Sequence, residues 1–259
     1  MGMELKDELV SEDALLSPQQ LRERLQAVGE ARYHHRHPFH LRMHAGTLTR
    51  GQIQAWALNR YYYQSHIPIK DALILAKSDD PAFRRAWRKR IVDHDGDGEG
   101  IGGIEKWIQL AEASGLSRDE VISCAGVLPG VRYAVDAYLH LVREGSLLVA
   151  VASSLTELFS RDLISLRMDR MRLHYPYLSR GLAYFEGRLT QAPEDAAFAL
   201  NYVTGHARTR GEQEQIIEAL TRKCEILWAQ LDAIDYGYVE PGNVPPGCFV
   251  PRDHAEEQA

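Results

Sequence analysis

The sequence predicts an all-α protein, built as one bundle of seven or more helices. Helix-start and helix-stop signatures recur along the whole chain. Apolar residues repeat at three- and four-residue steps, most clearly in Ile216, Leu220, Cys224, Leu227 and Leu231, and such a stripe faces a core. No stretch alternates apolar and polar residues over a useful length, and no Asn-Gly or Asp-Gly turn separates β-branched runs.

The first helix opens at Ser17-Pro18-Gln19-Gln20, which supplies an N-cap, a proline suited to the first helical position and a capping glutamine. Thr49 and Gln52 repeat that arrangement before an amphipathic run through Trp56, Arg60 and Tyr63. Pro68 then reads as a break, with Lys70 in a second short helix after it. Asp80-Pro81 opens a helix that ends near His94. Gly102 and Gly103 precede IEKWIQLAEASG, whose Gly115 is placed to terminate it. Ser117 and Glu120 make a capping box for a short helix, and Pro129 starts a segment that ends at Gly145. From Ser146 a long helical pattern reaches Tyr175, where HYPY stops it. Shorter helices are expected over 178–190 and 194–204, and a final long one after Thr209. From Pro241 the proline- and glycine-rich PGNVPPGCFVPRDHAEEQA reads as irregular.

A chain of 259 residues with 45% hydrophobic and 25% charged content is long enough for one large domain or two small ones. A formal charge of −6 argues against a nucleic-acid partner, yet leaves room for a small anion in a local basic pocket. Cys124, Cys224 and Cys248 are scattered, with no CxxC pair, so neither a disulfide framework nor a zinc ribbon is indicated. The N-terminus is acidic and lacks the basic start and apolar core of a secretion signal. The apolar stretch near Leu147–Ala152 is far short of the roughly 20 residues that span a bilayer, so no membrane partner is expected. The expected location is a reducing cytoplasm.

Three constellations invite chemistry. Asp93-His94-Asp95-Gly96-Asp97-Gly98 matches the opening half of a calcium loop, but the twelfth position, which needs a bidentate glutamate, is Ile104. A flexible acidic loop is the better reading. Five histidines lie between His34 and His44, yet no Glu-x-x-His pair occurs anywhere, so structural histidines are expected there and no metal. The third set is basic. Arg60 and Gln64 share a helical face, as do Tyr184 and Arg188; Glu157, Ile164 and Arg167 project together; Lys223 edges the apolar stripe. Taken singly, each is a long side chain with its head in water. Taken together, they would suit a carboxylate-bearing ligand. Periodicity leaves both open.

The strings YHHRHPFHLRMHAG, TRGQIQAWALNRYYYQSHIPIKDA, RKRIVDHDG with GGIEKW, LPGVRYAVDAYL, SSLTELF, YFEGRLTQA and KCEILWAQLDA stand in order from about Ser17 to Tyr238. In them the chain resembles the pyrroloquinoline-quinone synthase family. The resemblance implies a compact seven-helix bundle of the haem oxygenase/TenA-like type, usually a homodimer. It divides the chain into an N-terminal extension over 1–16, a catalytic bundle over 17–238 and an irregular tail over 239–259. It implies an oxidase with neither metal nor organic cofactor, closing and oxidising a reduced quinone precursor with dioxygen and releasing hydrogen peroxide. His94 resembles the family's general acid/base, and Tyr184, Arg188 and Lys223 the groups around dioxygen. Tyr33, His34, Arg60, Gln64, Lys70, Arg90, Tyr138, Thr156, Glu157 and Arg167 resemble its substrate contacts. Ile164 stands where the family usually has histidine, Asp162 where it has glutamine, and one residue is missing between Tyr177 and Tyr184. The sequence shows no small carrier domain after the bundle such as some members have, and a substrate-delivering protein of the same pathway is left open as a partner. A precursor-binding protein that completes only part of the oxidation, a thiaminase-like hydrolase with a cysteine nucleophile, and a non-enzymatic helical binder are the rival readings.

Overall fold

The computed structural model describes residues 14–98 and 100–252; most of the expected N-terminal extension and the end of the expected tail lie outside them. Eleven α-helices occur among the described residues: α1 (Pro18–Arg32), α2 (Pro38–Ala45), α3 (Arg50–Leu75), α4 (Pro81–Asp95), α5 (Gly103–Ser114), α6 (Arg118–Ser123), α7 (Pro129–Glu144), α8 (Leu147–Ala152), α9 (Ser160–His174), α10 (Ala183–His206) and α11 (Arg210–Tyr238). Three 3-10 turns, His34–Arg36, Leu155–Phe159 and Pro176–Gly181, join some of them. Among the described residues there is no strand, only an isolated bridge between Gly96 and Ile101, and no helix long and apolar enough to cross a membrane.

The capping signatures do what the sequence says. Ser17, Thr49, Ser117 and Thr209 each accept from the backbone N–H three residues on, and Gln20, Gln52, Glu120 and Glu212 bond back. Gly115 adopts a φ of 107°, a left-handed value that suits glycine at a helix end.

Four expectations need correction. The count exceeds seven: α2, α6 and α8, of 8, 6 and 6 residues, are short pieces set among eight longer helices. Pro68 does not begin a second helix: α3 runs 26 residues through it. An interior proline costs about 3 kcal/mol, but Ile67, Lys70, Asp71 and Ile74 on either side are buried, so packing carries the axis across. Pro193 is likewise inside α10, which joins the two short helices expected over 178–204 into one. Conversely, the long pattern from Ser146 to Tyr175 breaks at Ser153-Ser154. There the Ser153 hydroxyl donates back to Ala150 O at 2.7 Å, and the chain tightens into a 3-10 turn.

The apolar interior falls into two clusters. One gathers Trp56, Trp107, Ile164, Tyr184 and Phe185; the other gathers Tyr33, Tyr63, Ile67, Tyr138, Leu163 and Leu227. All of these except Trp56 also line one cavity, so a polar pocket lies on the seam between the clusters. The tail turns back over the bundle, with Phe249 N donating to Gly126 O at 2.9 Å and Tyr238 Oη to Phe249 O at 2.9 Å.

Candidate active site

Side chains from distant parts of the chain meet at that seam. Arg60, Tyr63, Gln64, Ile67 and Lys70 project from one face of α3 at three- and four-residue steps. The turn after α1 brings Tyr33 and His34, α4 brings His94, and α7 brings Tyr138. The 3-10 turn before α9 places Thr156 and Glu157, α9 places Ile164 and Arg167, and α10 places Tyr184 and Arg188. Two of the residues singled out from the sequence stand one layer behind the wall. Arg90 on α4 donates to Glu157, and Lys223 on α11 supports Tyr63 and Tyr138. Of the departures from the family, Ile164 lines the cavity, whereas Asp162 is exposed on α9 and lines nothing.

The charges divide into two groups. Lys70, Arg90 and Arg188 are matched by Asp71, Glu157 and Asp195. Lys70 Nζ lies 2.5 Å from Asp71 Oδ1, to which Trp87 Nε1 also donates at 2.9 Å. Arg90 Nη2 donates to Glu157 Oε1 at 2.7 Å, and Arg188 Nη2 donates to the other oxygen of the same carboxylate. Asp195 lies 3.2 Å from Arg188 Nη1 and 3.3 Å from Arg90 Nη1. Burial alone would push the Glu157 carboxyl up, but Arg188, Arg90 and Lys70 outweigh it and hold it near about 2.

Arg60, Arg167 and Lys223 have no carboxylate partner among the described residues. Arg60 donates to Gln230 Oε1 at 3.2 Å and covers the Tyr63 ring at 4.0 Å. Arg167 Nη2 lies over the neutral His40 ring, 3.0 Å from Nε2 and 3.4 Å from Nδ1. Lys223 Nζ donates to the Tyr63 hydroxyl at 2.7 Å over the face of Tyr138. A buried cation without a counter-ion is unfavourable, and the pocket shows it. Burial holds Arg167 down at about 10, and burial with Arg60 and Lys70 pushes the Lys223 amine well below its usual range.

The two pocket histidines are kept neutral. Burial, then Arg188, holds His94 down at about 4; burial, Arg60 and Arg167 hold His34 well below 6.5. His94 Nδ1 lies 2.9 Å from the carbonyl oxygen of Arg90, which can only accept, so Nδ1 carries the proton and Nε2 keeps its lone pair. A neutral imidazole held this way is poised to take a proton. The backbone behind it is tight. A Cβ on Gly102 would stand 2.3 Å from His94 O, so glycine is required for the loop to close over the end of α4. Asp93, His94 and Asp95 are themselves in that helix, which rules out the alternate-ligand geometry of a calcium loop there. Tyr184 donates its hydroxyl to Gln64 Oε1 at 3.0 Å, turning the Gln64 amide N–H groups away from it.

Sequence reasoning missed the acids behind the wall. Asp71 follows Lys70 directly and Asp195 lies two turns after Arg188, so both sat in reach of a cation they neutralise. Spacing offers no sign of which cation has a partner. Tyr63 was visible as part of the α3 face, three residues after Arg60. None of the three cysteines lines the cavity, and Cys224 is fully buried with its thiol pushed up to about 12 by burial, which removes the basis for a cysteine nucleophile. Among the described residues no three His, Cys, Asp or Glu side chains group as a metal ion would need.

The TENA/THI-4/PQQC family model matches residues 22–233. The chain is 57% identical over 236 residues to the pyrroloquinoline-quinone synthase of Acidiphilium cryptum, covering 91% of this chain and 96% of that protein. It is 54% identical over 238 residues to the pyrroloquinoline-quinone synthase of Gluconobacter oxydans, covering 92% and 99%. Against the bifunctional coenzyme PQQ synthesis protein C/D of Methylorubrum extorquens it is 54% identical over 244 residues, 94% of this chain but 66% of that one. Among solved structures, a heme oxygenase-like domain from Shewanella denitrificans superposes with a TM-score of 0.73 at 12% identity, covering 92% of this chain and 100% of the domain. A TenA homolog from Pseudomonas syringae pv. tomato does so with a TM-score of 0.66 at 13% identity, covering 90% and 99%. These two likenesses concern the fold.

Proposed function

The chain belongs to the TENA/THI-4/PQQC family, and we propose that it acts as a pyrroloquinoline-quinone synthase, carrying out the last step of pyrroloquinoline quinone formation. The observation that carries this reading is the pairing of cations lacking a carboxylate partner, the half-buried Arg60 and the buried Arg167 and Lys223, with a neutral imidazole, His94, that presents a lone pair. A reduced, ring-open quinone precursor bearing several carboxylates supplies the missing negative charge. Its carboxylates meet Arg60, Arg167, Lys70 and Gln64, with Tyr33, His34, Tyr138, Thr156 and Glu157 shaping the remaining wall.

Bound in this way, the precursor is oriented for addition of its amine to the neighbouring unsubstituted carbon of the quinone ring, which forms the C–N bond with no leaving group and keeps both ring carbonyls. His94 Nε2 takes the proton released as the ring closes and moves protons again in the oxidations. The electrons come from the substrate itself: its quinol-type anion passes a pair to dioxygen, and two protons complete hydrogen peroxide. Arg188 and Tyr184, on the cavity wall, stabilise the reduced oxygen while it is anionic, and Lys223 adds its field from behind Tyr63 and Tyr138. No metal or organic cofactor enters this scheme. Cytoplasmic location, a homodimer and delivery of precursor by a separate protein belong to the same reading.

Anaerobic mixing with precursor, followed by admission of air, tests it by absorbance. A binding change without air, then growth of the quinone spectrum with peroxide release after air, is the expected course. A protein that binds precursor and takes up no oxygen would be a non-enzymatic binder. A second reading rests on Ile164, a hydrocarbon in the cavity wall where the family has an imidazole: the protein performs only part of the oxidation. Ile164→His separates the two. Little change or slowing supports the full reaction, and acceleration confined to the late oxygen-dependent steps supports the partial one.

A further inference from the structure

His40 and His34 are joined by hydrogen bonds that fix where each ring carries its proton. Arg167 Nη2 lies over the His40 ring, 3.0 Å from Nε2 and 3.4 Å from Nδ1, and leaves the choice of nitrogen to the groups in the ring plane. His40 Nδ1 lies 3.0 Å from the carbonyl oxygen of His34, a group that can only accept, so the proton of neutral His40 is on Nδ1. The same Nδ1 is 3.2 Å from His34 Nδ1. Two nitrogen lone pairs repel at that distance unless an N–H stands between them, so the His40 proton is shared between the carbonyl oxygen and His34 Nδ1. That leaves the proton of neutral His34 on Nε2. Burial and the neighbouring cations keep both rings uncharged. His34 lines the cavity, whereas His40 does not touch it.

We propose that His40 is a positioning residue: it holds His34 as the Nε2–H tautomer, so that His34 meets the ligand as a neutral hydrogen-bond donor and not as a base. The pocket thereby carries two imidazoles of opposite character. His94 is tied by its Nδ1–H to the Arg90 carbonyl and offers a lone pair, while His34 receives a proton at Nδ1 and offers an N–H. Proton abstraction and ligand orientation are thus assigned to different histidines, and the choice is made by groups outside the cavity. The ligand atom that fits His34 is an acceptor, a carboxylate or quinone oxygen; this identity rests on the proposed function, and the tautomer does not.

Isotope-labelled imidazole NMR of the ligand-free protein reads the tautomer directly, with His34→Gln assigning the His34 signals by their loss. The expected wild-type spectrum shows His34 protonated on Nε2 with a free lone pair on Nδ1. In His40→Asn the side-chain amide N–H replaces Nδ1–H, and the His34 signals should stay as they are. In His40→Phe no donor remains, and His34 should shift towards the Nδ1–H form or a mixture, with affinity for pyrroloquinoline quinone falling roughly tenfold, as for a lost hydrogen bond to a charged group. A wild-type His34 that is cationic or protonated on Nδ1 overturns the proposal, and so does a folded His40→Phe protein with an unchanged His34 spectrum. If His40→Phe fails to fold, the wild-type and His40→Asn spectra decide. Because the spectra are recorded without ligand, they stand even if pyrroloquinoline quinone proves not to bind, an outcome that would count against the proposed function alone.

Discussion

Binding of pyrroloquinoline quinone should draw protons into the pocket. In the free protein His94 is held down at about 4 by burial and Arg188, and the Lys223 amine is pushed well below its usual range by burial, Arg60 and Lys70. At pH 7 that leaves His94 protonated in about one molecule in a thousand. A ligand carboxylate within about 4–6 Å favours the charged form by about 1–3 units. A two-unit rise brings His94 to about 6 and takes up about half a proton at pH 6. The sign follows: the bound state holds more protons than the free state, so binding tightens as pH falls. Calorimetry in buffers of different ionisation enthalpy gives the number of protons as the slope of heat against buffer enthalpy. His94→Asn should lower that slope. A slope of zero in the wild type at pH 6, or one unchanged in the variant, would show that ligand charge does not reach His94.

Arg60→Ala and Lys70→Ala should weaken binding of the quinone by roughly 1.5–3 kcal/mol each, the worth of a hydrogen bond to a charged group; titration calorimetry checks this, and unchanged affinity in both removes them from the ligand site. Glu157→Gln leaves Arg90 and Arg188 sharing one fewer charge, and breaking a buried ion pair on one side costs about 3–5 kcal/mol, seen as a lower urea midpoint. The free protein should lose stability as pH falls from about 6.5 towards 4, because unfolded His94 takes up protons that the folded form refuses; the full linkage is about 3 kcal/mol, and His94→Asn should remove that part of the denaturation profile. Exhaustive chelation should leave oxidation intact, and recovery of a lost activity by added iron or copper would defeat the proposed chemistry.

The fold was legible because helix ends are written in short local codes. Ser17, Thr49, Asp80, Ser117 and Thr209 each cap a helix, and no distant residue decides it. What was not legible is where tertiary packing overrides a local rule. Pro68 and Pro193 read as breaks, but buried neighbours on both sides carry α3 and α10 through them. Ser153 and Ser154 look tolerable in a helix, yet they end α8 and set Thr156 and Glu157 on a 3-10 turn facing the cavity. The proline is strong as a local signal and the serine pair weak, and in both places the fold follows the burial of the flanking side chains.

The site shows the same division between residue type and partner. Local sequence identifies α3 as a face of Arg60, Tyr63, Gln64, Ile67 and Lys70, but it treats its two cations alike. In the fold they differ: Lys70 is matched by Asp71, while Arg60 has only the neutral Gln230 amide and the Tyr63 ring. That difference sets what each brings to a ligand, Arg60 a spare charge and Lys70 an N–H donor whose charge is already matched, and it depends on α11, about 170 residues downstream. The net charge of −6 is equally uninformative, because most of the acids are spread over the surface, and the three near the pocket cations are already engaged by Lys70, Arg90 and Arg188. An acidic protein can thus hold a cavity whose spare charge is positive, and the ligand that completes it must bring the missing carboxylates itself.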